Sequence, residues 1–272
     1  MAELAHAHDP AGTAVAESGH GHGHPNLQHH FEDLGQQQEA SHLGMWAFLG
    51  TEVMFFGGLI GAYLVYRFTS PDVWGVASRQ LNAPLATFNT VILLTSSLTM
   101  ALAVHAGQTG VRRNQVRFLL LTMALGTLFL GVKGYEYYEE YEKDLIPGRH
   151  FSVAELKLPT VEASEGVSLS AEEQAEVRVT TATASNLTET PPQFARARAQ
   201  LFFVFYFCLT GLHAIHMIIG LVMLAYILSL ARRGVFTPSY SNPLEVAGLY
   251  WHFIDIAWVF LYPLLYLVAL HK

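Results

Sequence analysis

The chain has 272 residues, 51% of them hydrophobic and 14% charged, with a formal net charge of −7. About 25% charge is usual for a soluble domain, so this composition excludes an ordinary soluble protein. No basic patch accompanies a recognition motif, which sets nucleic-acid binding aside. The lone cysteine, Cys208, excludes an internal disulfide and reads as a small apolar core residue.

Residues 1–42 form a polar tail with eight histidines and no Lys or Arg. The run Gly19-His20-Gly21-His22-Gly23-His24 is low-complexity, and such composition predicts disorder with incidental metal affinity rather than a built site. No basic region followed by an apolar one opens the chain, so no cleavable leader is expected. The first apolar span would serve as the insertion signal. Five windows approach the length of about 20 residues that crosses a bilayer: 43–66, 85–106, 115–137, 199–230 and 247–270. The predicted fold is an all-α membrane bundle of five helices over residues 43–272. Tyr63, Tyr66 and Trp74 suit an interfacial aromatic belt, and Pro84 suits a helix start.

Arg112, Arg113 and Arg117 crowd the link between the second and third spans, and Arg232 and Arg233 the link between the fourth and fifth. Short arginine-rich links mark the cytoplasmic side. That expectation places the N-terminus in the cytoplasm and the C-terminus outside. The insert of about 138–198 is long and polar, with seven acids against two bases in 151–190, which fits an outside loop. It contains a capping-box pattern at Ser170-Ala171-Glu172-Glu173 and a sequon at Asn186-Leu187-Thr188.

Polar residues interrupt the spans. Glu52 lies in the first, Lys133 and Glu136 end the third, and His213 and His216 sit in the fourth. The fifth carries Tyr250-Trp251-His252-Phe253-Ile254-Asp255. A charged side chain at hydrocarbon depth costs about 3 kcal/mol on insertion scales, so these groups must face helices, water or a partner. His213 and His216 are three apart, as are His252 and Asp255, so each pair shares a helix face. If the two helices are neighbours, three histidines and a carboxylate could converge, with Glu52 as a fifth member. That pattern reads either as a metal or haem site or as interhelical hydrogen bonds worth about 0.6–2 kcal/mol each. Glu52 is likewise either a protonated packing residue or a proton-relay carboxylate. Gly211, Gly220 and the set Gly57, Gly58 and Gly61 suit close helix approach.

The motifs Gly44 through Phe56, Pro84 through Leu94, Glu136-Tyr137-Tyr138-Glu139, Thr210 through His216 and Glu245 through Tyr262 resemble, in that order, the helices of subunit III of the haem–copper oxidases. The resemblance implies an accessory subunit without catalytic residues or redox centres. Haem and copper are then expected in partner subunits I and II, with phospholipid held by the bundle. It implies support of stability and proton uptake in a respiratory oxidase of a bacterial inner (plasma) membrane. On this reading Glu52 is the family's intramembrane carboxylate. Glu136, His213, His216, Glu245, Trp251, His252 and Asp255 are structural, and Arg232 and Arg233 are candidates for lipid phosphate. The alternatives are subunit III of a quinol oxidase or nitric oxide reductase, or a stand-alone haem or metal oxidoreductase.

The chain departs from the common seven-helix form of the family in three ways. A histidine-rich tail stands in place of two N-terminal helices. Lys133 stands where glutamine is frequent, and the insert is long.

Overall fold

The computed structural model describes residues 30–148, 151, 192–238 and 240–267. The Gly-His run, the capping-box pattern, the sequon and Lys272 lie outside the described residues. Among the described residues six helices follow one another: α1 Leu34–Thr69, α2 Pro71–Ser78, α3 Ala83–Gln108, α4 Arg112–Glu142, α5 Pro192–Arg233 and α6 Asn242–Tyr262. A π-helical turn, Pro263–Leu267, ends the described chain. All but α2 are long and apolar enough to cross a membrane, where only a backbone that satisfies itself is tolerated.

Helices α1 and α5 outrun their expected spans the furthest. Asp33 accepts a 2.7 Å hydrogen bond from the Gln36 amide and caps α1 nine residues earlier than the sequence pattern suggested. Residues 34–42, read as tail, are therefore helix. At 42 residues, α5 is roughly 60 Å long, twice the hydrocarbon thickness of about 30 Å. The amphipathic α2 packs on its overhanging first half. Here Trp74 meets Phe202 with ring centroids 5.5 Å apart, and Tyr63 of α1 meets Trp74 at 4.8 Å. Tyr63 and Trp74 are thus buried, and of the three expected belt aromatics only Tyr66 is exposed.

Helices α3, α4, α5 and α6 close a ring, each packed on its neighbours, and α1 lies outside it against α5 and α6. At one end of the bundle, Arg112 Nε donates to the Ala231 carbonyl at 3.1 Å. Gly234, with φ +77°, ends α5 beneath that guanidinium, in the left-handed conformation glycine adopts at low cost. This arginine-rich end also carries the starts of α1 and α6. The α2 end carries Tyr63, whose hydroxyl donates to the Leu264 carbonyl at 2.9 Å.

The ring closes on Trp251. A Cβ on Gly126 of α4 would lie 2.7 Å from its indole, and one on Gly220 of α5 would lie 3.1 Å away. Its Nε1 donates to Ser96 Oγ of α3 at 3.0 Å. Gly220 thus serves close approach as expected. Gly57, Gly58 and Gly61 do not, since a Cβ there meets nothing within 4 Å. Cys208 is exposed on the bundle's outer surface rather than packed in its core. On the outward face of a membrane helix a small apolar group is tolerated without protein packing.

Candidate functional site

The polar side chains gather in three places. The first is inside the ring, toward the α2 end. Lys133 Nζ donates to Glu136 Oε2 at 2.8 Å, to Tyr266 Oη at 2.9 Å and to Tyr206 Oη at 3.2 Å. Both tyrosine hydroxyls donate to Glu136 Oε1, Tyr266 at 2.6 Å and Tyr206 at 3.2 Å. The rings of Tyr137, Tyr206, Trp258 and Tyr266 surround the ammonium at 5.2–5.5 Å, a range in which ring quadrupoles attract a cation. The ion-paired side chains are 4% and 2% exposed. The π turn after Pro263 brings Tyr266 to this cluster, and such turns recur at functional sites. Glu140, one turn beyond Glu136, is buried beside it.

The second place is the seam between α1 and α5. His216 Nε2 lies 3.1 Å from Glu52 Oε2, with the side chains 12% and 18% exposed. His216 Nδ1 lies 2.9 Å from the Leu212 carbonyl, a contact that orients the ring. Phe56 packs against it, tilted, with ring centroids 5.5 Å apart, and the Tyr250 hydroxyl donates to the His216 carbonyl at 3.2 Å.

The third place is the groove between α3 and α6. His252 Nδ1 and Ser97 Oγ are 2.7 Å apart. Asp255, one turn on, is buried. At the arginine-rich end of that groove, Glu245 accepts from Ser241 at 2.6 Å and from Gln108 at 3.0 Å, with His42 of α1 3.7 Å away. Glu245 lies in the first turn of α6, where the helix dipole favours an acid. Arg232 and Arg233 are exposed in the last turn of α5.

The expected convergence of His213, His216, His252 and Asp255 does not occur. His216 faces α1, whereas His213 is buried between Phe129, at 5.5 Å, and Trp258, at 4.9 Å. Three residues turn a helix 60° short of a full revolution, and α5 contacts α1 on one side and α4 and α6 on others. That rotation is enough to exchange the neighbour. His252 faces α3 instead. Among the described residues, no three His, Cys, Asp or Glu side chains group as a metal site.

The family model for cytochrome c oxidase subunit III matches residues 28–145 and 177–270. The chain belongs to the cytochrome c oxidase subunit III family. It is 30% identical over 244 residues to cytochrome c oxidase subunit 3 of Alkalihalophilus pseudofirmus, covering 89% of this chain and 94% of that one. It is 27% identical over 226 residues to a probable cytochrome c oxidase subunit 3 of Nocardia farcinica, covering 83% and 87%. It is also 27% identical over 230 residues to quinol oxidase subunit 3 of Bacillus subtilis, covering 84% and 87%. The subunit III match spans all five membrane-crossing helices, so this is an integral membrane protein.

Sequence reasoning alone did not pair Lys133 with Tyr206 and Tyr266, or His252 with Ser97. A Lys and a Glu three apart in an apolar run was the available signal for the first. A serine inside a membrane helix was the only signal for the second.

Proposed function

We propose that the chain is a non-catalytic subunit of a respiratory haem–copper terminal oxidase in a bacterial plasma membrane. It packs against catalytic subunit I beside subunit II, stabilises it and supports its proton uptake. The family match over both halves of the chain carries this reading. Haem and copper belong to the partner subunits, and Glu52 and His216 form the polar contact nearest the partner. A quinol as electron donor is a second reading, favoured by the likeness to a quinol oxidase subunit 3.

The seat for the partner is the outward face of α1. In its most apolar stretch 17% of residues are buried, against 50% for the stretch in the last helix. Val53, Met54 and Phe55 are exposed there, and Gly50, Gly57 and Gly58 leave it smooth, which suits close helix approach. Helices of the catalytic subunit or of another membrane chain cover this face. Phospholipid lies between, its phosphate at Arg232 and Arg233, with the arginine-rich end cytoplasmic.

The test is purification of the tagged chain in mild detergent. The expected result is copurifying oxidase subunits with a haem spectrum and oxygen reduction. Isolation of the chain alone, with its own haem, would contradict the proposal. Replacing Arg232 and Arg233 by Ala should lower the retained phospholipid.

A further inference from the structure

A cleft of about 360 Å³ opens between α1, α3 and α6 at the arginine-rich end. It contains a high density of titratable groups for a membrane protein: His42, His105, Glu245 and His252 line it, beside Trp46 and Gln108. From Glu245 to His252 it follows α6 for two turns, roughly 10 Å. His252 is its deepest polar member along that helix. There the ring meets Ser97 Oγ at 2.7 Å. The carboxyl of Asp255, one helical turn beyond His252, lies beside the same hydroxyl. Asp255 is 3% exposed, and neither of its oxygens has a directed hydrogen bond.

A carboxyl with no directed partner in an apolar interior is costly as structure alone. A serine hydroxyl has one proton and two lone pairs, so it can accept from one neighbour while donating to the other. The sequence of groups therefore runs from an open cleft to an imidazole, a ring whose two nitrogens can each carry a proton. From that ring it continues through a hydroxyl to a buried acid.

We infer that the cleft, His252 and Ser97 form a proton path from the arginine-rich end to Asp255, a proton-holding site separate from Glu52. In one step the Nδ1–H bond of the His252 imidazolium breaks and an Oγ–H bond forms. The original Ser97 Oγ–H bond breaks and an Oδ–H bond forms on Asp255. Imidazolium and carboxylate become neutral imidazole and carboxylic acid, and Ser97 is unchanged. For the next proton the His252 ring turns its vacated nitrogen from Ser97 to the cleft, whose protons reload it at the end read above as cytoplasmic.

The test is infrared spectroscopy of the detergent-purified protein with its copurifying subunits. The carbonyl band of protonated Asp255 is assigned by its loss in Asp255→Asn, and its shift is followed after mixing with D₂O. Fast exchange is expected in the wild type, with at least tenfold slower exchange in Ser97→Ala. Ser97→Thr keeps the hydroxyl and should keep the fast rate, and Glu52→Gln should leave the rate of the Asp255 band unchanged. Equal rates in wild type and Ser97→Ala, or no band lost in Asp255→Asn, would overturn the inference. The readout does not involve oxygen reduction, so failure of the accessory-subunit reading would leave it standing, and the reverse.

Discussion

Lys133–Glu136 and Glu52–His216 are both acid–base pairs at membrane depth, yet they sit in opposite surroundings. The first lies at the centre of the four-helix ring, where α4, α5 and the π turn each supply a group and every charge has several partners. The second lies on the seam between the ring and a peripheral helix, with two members and part of each still exposed. The number of helices that can reach a point decides how completely its polar groups are satisfied. A central pair therefore serves the bundle itself, and an edge pair stays open to something beyond it.

The strongest way to break this contrast is to remove one charge from each pair. Lys133→Met leaves Glu136 as a buried carboxylate held only by tyrosines, and should cost about 3–5 kcal/mol. The double change Lys133→Met with Glu136→Gln should recover most of that loss. Thermal unfolding in detergent measures both. A loss below about 1 kcal/mol for the single change would mean that the central cluster is not a clamp.

Next in size is the aromatic keystone of the ring. Trp251→Ala loses packing against Gly126 and Gly220 and its bond to Ser96. Lipid tails are as apolar as the bundle interior, so the transfer part of a soluble-core deletion is missing. The expected cost is about 2–3 kcal/mol, below the soluble range for Trp. Gly126→Val should cost about 1–3 kcal/mol by overpacking, read by the same unfolding assay.

The edge pair should respond less. Glu52→Gln keeps a hydrogen bond to His216 and should cost about 1 kcal/mol or less, with assembly of the complex retained on native gels and proton uptake slowed. A hydrophobic carbodiimide should label Glu52 in preference to Glu136, because only Glu52 is reachable from the seam. Preferential labelling of Glu136, read by mass spectrometry, would reverse the contrast. The smallest effect is expected for Tyr262→Phe, which loses a 2.6 Å contact with Thr87 on the exposed rim. About 0.6 kcal/mol is the average for such bonds in membranes.

The five spans were legible in the sequence because apolar run length reports membrane crossing directly, and Glu52 and Glu136 stood out as acids within those runs. Helix ends were not, since Asp33 caps α1 through a geometry that hydrophobicity does not encode. The histidine pair was read as one face, but neighbour identity changes within 60° when a helix touches four others. Tyr63 and Trp74 were read as belt residues because their amphipathic chemistry suits an interface as well as a core. The overhang of α5 and the docking of α2 turned them into core. Tyr206 and Tyr266 carried no signal at all, since partnership across 73 and 133 residues is a property of the ring rather than of any segment.

Those separations also order events during synthesis. At about 5–20 residues per second, Tyr266 leaves the ribosome on the order of 10 s after Lys133. For about the first half of that interval, until Tyr206 is also made, α4 must enter the bilayer with its ammonium unserved by either tyrosine. Glu136 is on the same helix one turn away, 2.8 Å from the ammonium in the finished fold, and is made within a second of Lys133. The ion pair is therefore a travelling companion for the lysine during insertion, and the tyrosines are its permanent neighbours.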